Sequence, residues 1–197
     1  MITIVAIAEI GRPIFVRPYK EREAADRAHA EFFCPLSDHL TWLNALNAYA
    51  AAQREGSTDM EEWCYNNFID IEAIHEALRV RRDLQRIAQE ILGDSLTSVH
   101  DTGRRLRRAI ARGLYHQLAF RTEKTIYDLY HTIHDNYPAT INPDSALVEA
   151  KQNWIVYQDF VYLSRPYMQT VTAVDVEWLL VRPGPPNANR YSSDMMF

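Results

Sequence analysis

The residues best suited to chemistry in this sequence are arginines, which bind ligands rather than react with them. Five of them fall within nine positions, separated by small and apolar residues: Arg104, Arg105, Arg107, Arg108 and Arg112. Arginine forks hold phosphate oxygens through paired hydrogen bonds, and such contacts position a nucleic acid without reading its sequence. A solvated helix face, or ion pairing with the acidic N-terminal half, would use the same residues.

Tyrosines recur along the C-terminal segments that have the composition of strands. An exposed ring stacks on a nucleobase with about 1–3 kcal/mol of stabilisation. A tyrosine inside a small barrel packs as core instead. Both interpretations apply to Tyr127, Tyr130, Tyr157, Tyr162 and Tyr167. The tryptophans at positions 154 and 178 are assigned to structure.

Nothing in the sequence has the pattern of a nucleotide site. There is no GxxxxGK[ST] phosphate loop and no acidic strand end that would hold magnesium. Only 6 glycines occur in the chain, which leaves little scope for another glycine-rich loop. We expect no ATP hydrolysis by this chain and no cofactor in it. His131, His134 and Asp135 form an HxxHD cluster, but spacing places no third ligand, so we predict no metal site.

The bulk composition is that of an ordinary globular protein, with 47% hydrophobic and 24% charged residues. No apolar run approaches the roughly 20 residues that cross a bilayer, so we expect no membrane partner. Cys34 and Cys64 give no disulfide framework. We therefore expect an intracellular protein, nuclear or cytoplasmic.

Charge is unevenly distributed. Residues 1–100 carry 10 Lys and Arg against 16 Asp and Glu, whereas residues 101–197 carry 11 against 10. A dedicated nucleic-acid binder is usually basic. Any nucleic-acid contact by this chain must be local, or assisted by a larger assembly.

The spacing of apolar residues divides the chain into a helical part and a strand-rich part. Helices are predicted over residues 1–9, 20–32, from 38 onward, 59–68, 70–92 and 102–115. Short strands are predicted over residues 118–120, 125–127, 140–141, 154–163 and 167–172. A five-stranded, partly open barrel is the oligonucleotide/oligosaccharide-binding (OB) fold. The fold class is α+β, with a helical bundle over residues 1–115, the barrel over 116–182 and an irregular tail over 183–197.

Several short motifs, in this order, resemble the C-terminal auxiliary region of DEAH-box RNA helicases. Residues 154–157, 167–172 and 175–179 resemble the W-V-x-Y strand, the Y-x-x-x-V-T strand and the D-x-x-W-L close of that family. Residues 141–147, INPDSAL, resemble its I-H-P-S-S-A-L segment.

The helical part carries the same resemblance. Its matching segments are the TIVA helix and F-V-R-P turn near the N-terminus, DHLTWLN from Asp38, WCYNNF from Trp63, V-R-x-x-L around Arg81, and residues 106–114, which resemble I-R-x-A-I-x-x-G-[FL]. The resemblance extends over residues 2–180.

The resemblance implies a helicase-associated, ratchet-like helical domain followed by an OB-fold that together form one wall of an RNA channel. The implied partners are single-stranded RNA and the helicase motor domains or a glycine-rich-patch protein. In relatives the motor domains use ATP and magnesium to unwind RNA, often in pre-mRNA splicing or ribosome biogenesis. Such motor domains are missing here, so we expect a detached fragment or accessory protein. The predicted RNA-binding residues are Arg81, Arg104, Arg105, Arg107, Arg108, Arg112, Tyr127, Tyr167 and Arg165.

Several positions depart from the family pattern. Glu72 and Ala73 stand where relatives have arginine and serine, Asn142 replaces a histidine, and Gln169 with Thr170 displaces an arginine. Losing cations weakens phosphate binding. One alternative is therefore a protein-interaction module that has lost RNA binding. Another is a remnant that aggregates through apolar surface once covered by motor domains.

Overall fold

The computed structural model describes residues 1–56, 59–93, 103–122 and 129–180, and places a helical bundle before a five-stranded barrel. The helices are α1 (Ile2–Glu9), α2 (Arg22–Ala30), α3 (Asp38–Glu55), α4 (Met60–Asn66), α5 (Ile71–Leu92), α6 (Gly103–Gly113) and α7 (Glu177–Leu180). The strands are β1 (Leu118–Thr122), β2 (Leu129–Thr132), β3 (Pro138–Ile141), β4 (Trp154–Tyr162) and β5 (Pro166–Ala173). The predicted α+β fold class is confirmed.

Helix boundaries follow side-chain caps that the sequence indicates. Ser37 accepts a hydrogen bond from the backbone N–H of Leu40 at the start of α3. Asp59 caps α4 and Asp70 caps α5 in the same way. At the other end of α5, Gly93 has φ +63°, a backbone conformation that glycine adopts readily. No helix in the described part of the chain is long and apolar enough to span a membrane.

The bundle is centred on α1, α3 and α5. Ile14, Tyr49 and Ile74 are buried at its centre. Arg12, just after α1, forms an ion pair with Asp70, just before α5. The two helices therefore lie antiparallel, joined at this end.

The barrel is closed, with strand order β1-β2-β3-β5-β4. β3 and β5 run parallel, and the other neighbouring strands pair antiparallel. Inward-facing side chains of the strands fill the interior, including those of Ala119, Tyr130, Ile155, Met168 and Val171. The barrel thus has its own core beside that of the bundle.

One observed strand, β2, has no counterpart among the predicted segments. It covers Leu129–Thr132 and alternates half-buried and buried residues. Its polar His131 and Thr132 concealed that alternation in the sequence. The strand predicted at 125–127, and the tail predicted at 183–197, lie outside the described residues.

The β4–β5 hairpin is irregular halfway along its length. Tyr157 pairs with Val171 and Asp159 with Gln169, but the intervening pair is not formed. Thr170 has φ +53°, a conformation rare for β-branched residues. As a result, Met168 and Val171, three residues apart, both face the barrel core.

The start of α3 is buried against the barrel. The Asp38 carboxylate accepts hydrogen bonds from Ser145 Oγ (2.7 Å) and from the backbone N–H groups of Ala146 (2.9 Å) and Val171 (2.8 Å). The Thr172 hydroxyl lies 2.7 Å from Ser37 Oγ. These contacts join residues more than 100 positions apart and hold bundle and barrel together.

His39 completes this junction. Its Nδ1 lies 2.8 Å from Thr172 Oγ1. Burial lowers the pKa of His39 to about 4, against the opposing effect of a hydrogen bond with Gln158. Burial raises the pKa of Asp38, although its three hydrogen bonds act in the other direction. A neutral His39 is therefore part of the folded structure at pH 7.

Substituting Thr172→Val tests the hydrogen bonds at the junction. The change keeps the side-chain shape but removes the hydroxyl that Ser37 Oγ and His39 Nδ1 contact, so we expect a loss of about 1–3 kcal/mol in the free energy of unfolding. Urea denaturation followed by circular dichroism measures it. The matched control is Thr140→Val, because the buried Thr140 hydroxyl has no hydrogen-bond partner within the described residues. An equal loss in both variants would contradict the assignment.

Substituting His39→Asn tests the pH dependence. Folding lowers the pKa of His39 from 6.5 to about 4. The folded state is therefore most stable above pH 6.5 and loses stability as the pH falls towards 4. From pH 7.5 to 5 this loss amounts to about 2 kcal/mol. We expect His39→Asn, which keeps Asp38, to lose that part of the pH dependence in urea titrations. His134→Asn, at an exposed histidine, is the control and should leave it unchanged.

Candidate nucleic-acid interface

Two exposed aromatic side chains and a half-buried one form a cluster at one end of the barrel, which we call the aromatic ledge: Tyr137, Tyr162 and Phe160. The ring centroid of Phe160 lies 6.2 Å from those of both Tyr137 and Tyr162. Tyr162 is 66% exposed and Tyr137 is 41% exposed. Desolvation and a hydrogen bond with Tyr137 raise the pKa of the Tyr162 phenol. The ledge therefore offers fixed aromatic surface to solvent.

The ledge packs on a buried ring of the barrel and continues into the turn that follows Tyr162. Tyr157, buried in the barrel, lies 4.7 Å from Phe160 between ring centroids. Residues 163–165 form the turn between β4 and β5, and Leu163 is 74% exposed. OB-folds bind oligonucleotides through this connection and the one between β1 and β2. The second connection contains Tyr127, which lies outside the described residues.

Arg165 and Tyr167 form a second feature at the hairpin tip. Arg165 Nε donates a hydrogen bond to Tyr167 Oη (3.0 Å), and the guanidinium lies 5.2 Å from the ring centroid. Hydrogen bonds from Arg165 and Ser164 lower the pKa of Tyr167. Tyr162 pairs with Pro166 and Val161 with Tyr167, so Tyr162 and Tyr167 face opposite sides of the hairpin. The exposed cation, rather than the buried Tyr167 ring, is what this side presents.

The remaining candidate tyrosines are core residues. Tyr130 is buried in the barrel and its hydroxyl donates to the carbonyl of Gln152 (2.7 Å). Tyr157 is also buried. The sequence analysis missed Tyr137 and Phe160. Phe160 and Tyr162 are two residues apart at the end of a predicted strand, and this spacing could have indicated that the two rings lie on the same face.

Two arginines of α6 contact the last residue of β5 and residues at and before α7. Their guanidinium groups lie over the Trp178 ring, Arg104 at 5.5 Å and Arg107 at 5.4 Å from its centroid. Arg107 also donates to the carbonyl of Ala173 (2.9 Å). Arg104 lies 3.7 Å from Asp175. These contacts fix α6 against β5 and α7.

The other predicted arginines are placed differently. Arg105, Arg108 and Arg112 are exposed on α6. Arg108 and Arg112 form no ion pair with any residue that the structure describes. Arg81 is half-buried on α5. Arg107 contacts the last residue of β5, whereas the ledge lies beside its first, so α6 and the ledge are about 23 Å apart along the strand.

A groove of about 650 Å³ lies between bundle and barrel. Three of the positions that depart from the helicase pattern line it: Asn142, Gln169 and Thr170. Four carboxylates and two guanidinium groups also line it: Asp26, Asp38, Asp144, Asp159, Arg12 and Arg17. Arg17 is held by Asp26 (2.7 Å) and Asp144. None of the eight predicted RNA-binding residues that the structure describes lines this groove, and its acidic lining disfavours phosphate.

The residues of the histidine cluster contact near neighbours in the chain. His131 Nδ1 lies 3.0 Å from Asn136 Oδ1, and His134 points to Asp135 at 3.7 Å. No group of three or more His, Cys, Asp or Glu that could hold a metal occurs among the residues described.

The strand order and the parallel pairing of β3 with β5 define the class of the C-terminal part as an OB-fold. Residues 106–182 match the family model of the oligonucleotide/oligosaccharide-binding (OB)-fold. The match begins within α6 and ends just beyond α7. The C-terminal part is therefore an OB-fold domain, which indicates oligonucleotide binding.

Substituting Tyr162→Ala tests the ledge. Removing the most exposed ring eliminates one stacking surface, so we expect affinity for a single-stranded oligonucleotide to fall by about 1–3 kcal/mol, or about 5- to 150-fold. Fluorescence anisotropy with a labelled strand measures it. Tyr65→Ala, at a tyrosine that is 75% exposed on α4, is the control. Unchanged affinity in Tyr162→Ala would exclude stacking there.

Proposed function

We propose that this chain is a single-stranded RNA-binding, C-terminal module of a DEAH-box RNA helicase, with no ATPase activity of its own. The observation that carries this proposal is the aromatic ledge at the β4–β5 connection of an OB-fold domain. Bases of an unpaired strand would stack on the ledge, while Arg165, Arg108 and Arg112 contact phosphates. Stacking tolerates any base, so binding would show little sequence preference.

The helicase context is supported by the resemblance of the motif series over residues 2–180. It includes Asp38 and His39, whose side chains join bundle to barrel. On this proposal the chain works with motor domains or a glycine-rich-patch protein, in the nucleus or cytoplasm, in a process such as pre-mRNA splicing. ATP and magnesium would be used by those motor domains.

A salt titration of RNA binding tests the proposal. A labelled single-stranded RNA of about 12 nucleotides, within the usual site size of such folds, is titrated with the full chain between 50 and 200 mM salt. We expect binding at low salt and a negative slope of log K against log salt. Absence of binding at 50 mM salt would contradict the proposal.

Arg108→Ala/Arg112→Ala tests the contribution of α6 separately. Each lost phosphate contact reduces the salt slope by about 0.7 for a single strand, so we expect a reduction of about 1.4. Arg22→Ala/Arg54→Ala removes two exposed arginines of the bundle and is the matched control. If both double variants behave alike, α6 does not contact RNA.

A protein-interaction module without RNA binding is the second candidate function. The observation that favours it is the acidic groove, where Asn142 and Gln169 occupy positions that are cationic in the family pattern. This alternative predicts no RNA binding at any salt concentration in the same titration.

A further inference from the structure

Helix α5 is much longer than the helix that covers it. α1 lies antiparallel to α5, because Arg12 pairs with Asp70 at one end and the Met1 amine lies near Arg81 at the other. α1 therefore covers α5 only as far as Arg81. At 1.5 Å per residue, the segment from residue 82 to residue 92 extends about 16 Å beyond it.

The apolar face of α5 continues along this extension. Leu84, Ile87 and Ile91 follow at helical spacing from Ile74 and Ala77, which are buried in the bundle. We call these three residues the α5 stripe. Ile87 is 42% and Ile91 is 76% exposed. A stripe of this kind usually packs against another element, and none of its three residues belongs to an apolar cluster of the described structure.

Arg81 lies on the same face, three residues before Leu84. Its Nε is buried and has no hydrogen-bond partner in the described structure. No described carboxylate forms an ion pair with Arg81. The charge that would complement this end of the stripe is negative.

We propose that the α5 stripe docks an amphipathic helix of a partner protein, with a carboxylate of that helix paired to Arg81. Three aliphatic side chains at spacings of three and four match the apolar face of a helix, the usual helix-to-helix mode of recognition. They offer no aromatic ring or donor to a nucleic acid. This surface is separate from the ledge, and the inference does not depend on RNA binding.

The test uses two synthetic peptides of about 18 residues with the same apolar helical face. One carries Glu and the other Lys at the position that faces Arg81. We expect the full chain to bind the Glu peptide more tightly, about tenfold or more, and the Arg81→Glu variant to prefer the Lys peptide. Equal binding of both peptides by both proteins would overturn the proposal.

Ile91→Glu provides the apolar arm of the test. It places a charge in the stripe at an exposed site, so we expect folding to be retained and Glu-peptide affinity to fall at least about tenfold. The control is Tyr19→Glu, at a residue outside α5 that is 89% exposed. Light scattering completes the design. If the wild-type chain is a dimer that Ile91→Glu dissociates, a second copy of the chain occupies the stripe and the proposal is overturned. Undiminished peptide binding by Ile91→Glu would also overturn it.

Discussion

The position of Asp38 constrains the rest of the structure. Its carboxylate accepts three hydrogen bonds from the barrel while its backbone begins α3 of the bundle. A buried carboxylate is unfavourable unless its lone pairs are satisfied. The connection after β3, the second half of β5 and the start of α3 must therefore meet at one point. His39 and Thr172 continue this polar contact, and the next residue, Leu40, packs in an apolar cluster with Leu118, Val156 and Trp178.

The irregular hairpin determines which surfaces the barrel presents. On the C-terminal side of Thr170, Val171 and Ala173 point into the barrel core, and on its N-terminal side Met168 points into the core. The change of alternation turns Gln158, Asp159 and Gln169 towards the groove between bundle and barrel. The same change places Phe160 and Tyr162, at the C-terminal end of β4, in the aromatic ledge. One strained residue thus separates an acidic groove from an aromatic edge.

Much of the fold could be predicted from local sequence. The caps Ser37 and Asp70 begin their helices, and β-branched and aromatic residues mark β4 and β5. The orientation of the tyrosines could not be predicted, because it depends on the parity of the strand and Thr170 changes that parity. Arg104 and Arg107 were interpretable only as a basic run, because the ring that they cover, Trp178, lies some 70 residues further along the chain. The groove was beyond prediction, since it is assembled from four separated segments.

The apolar contacts between bundle and barrel bear on how such proteins can evolve. Ile4 and Leu40 from the bundle pack with Ile110, Leu118 and Val156 in one continuous cluster. An excised barrel would expose its part of that cluster to water and lose the carboxylate that organises its connections. Gene rearrangement could therefore transfer this OB-fold intact only together with its helices. Bundle and barrel would be inherited together, and substitutions in either one must preserve the apolar cluster that they share.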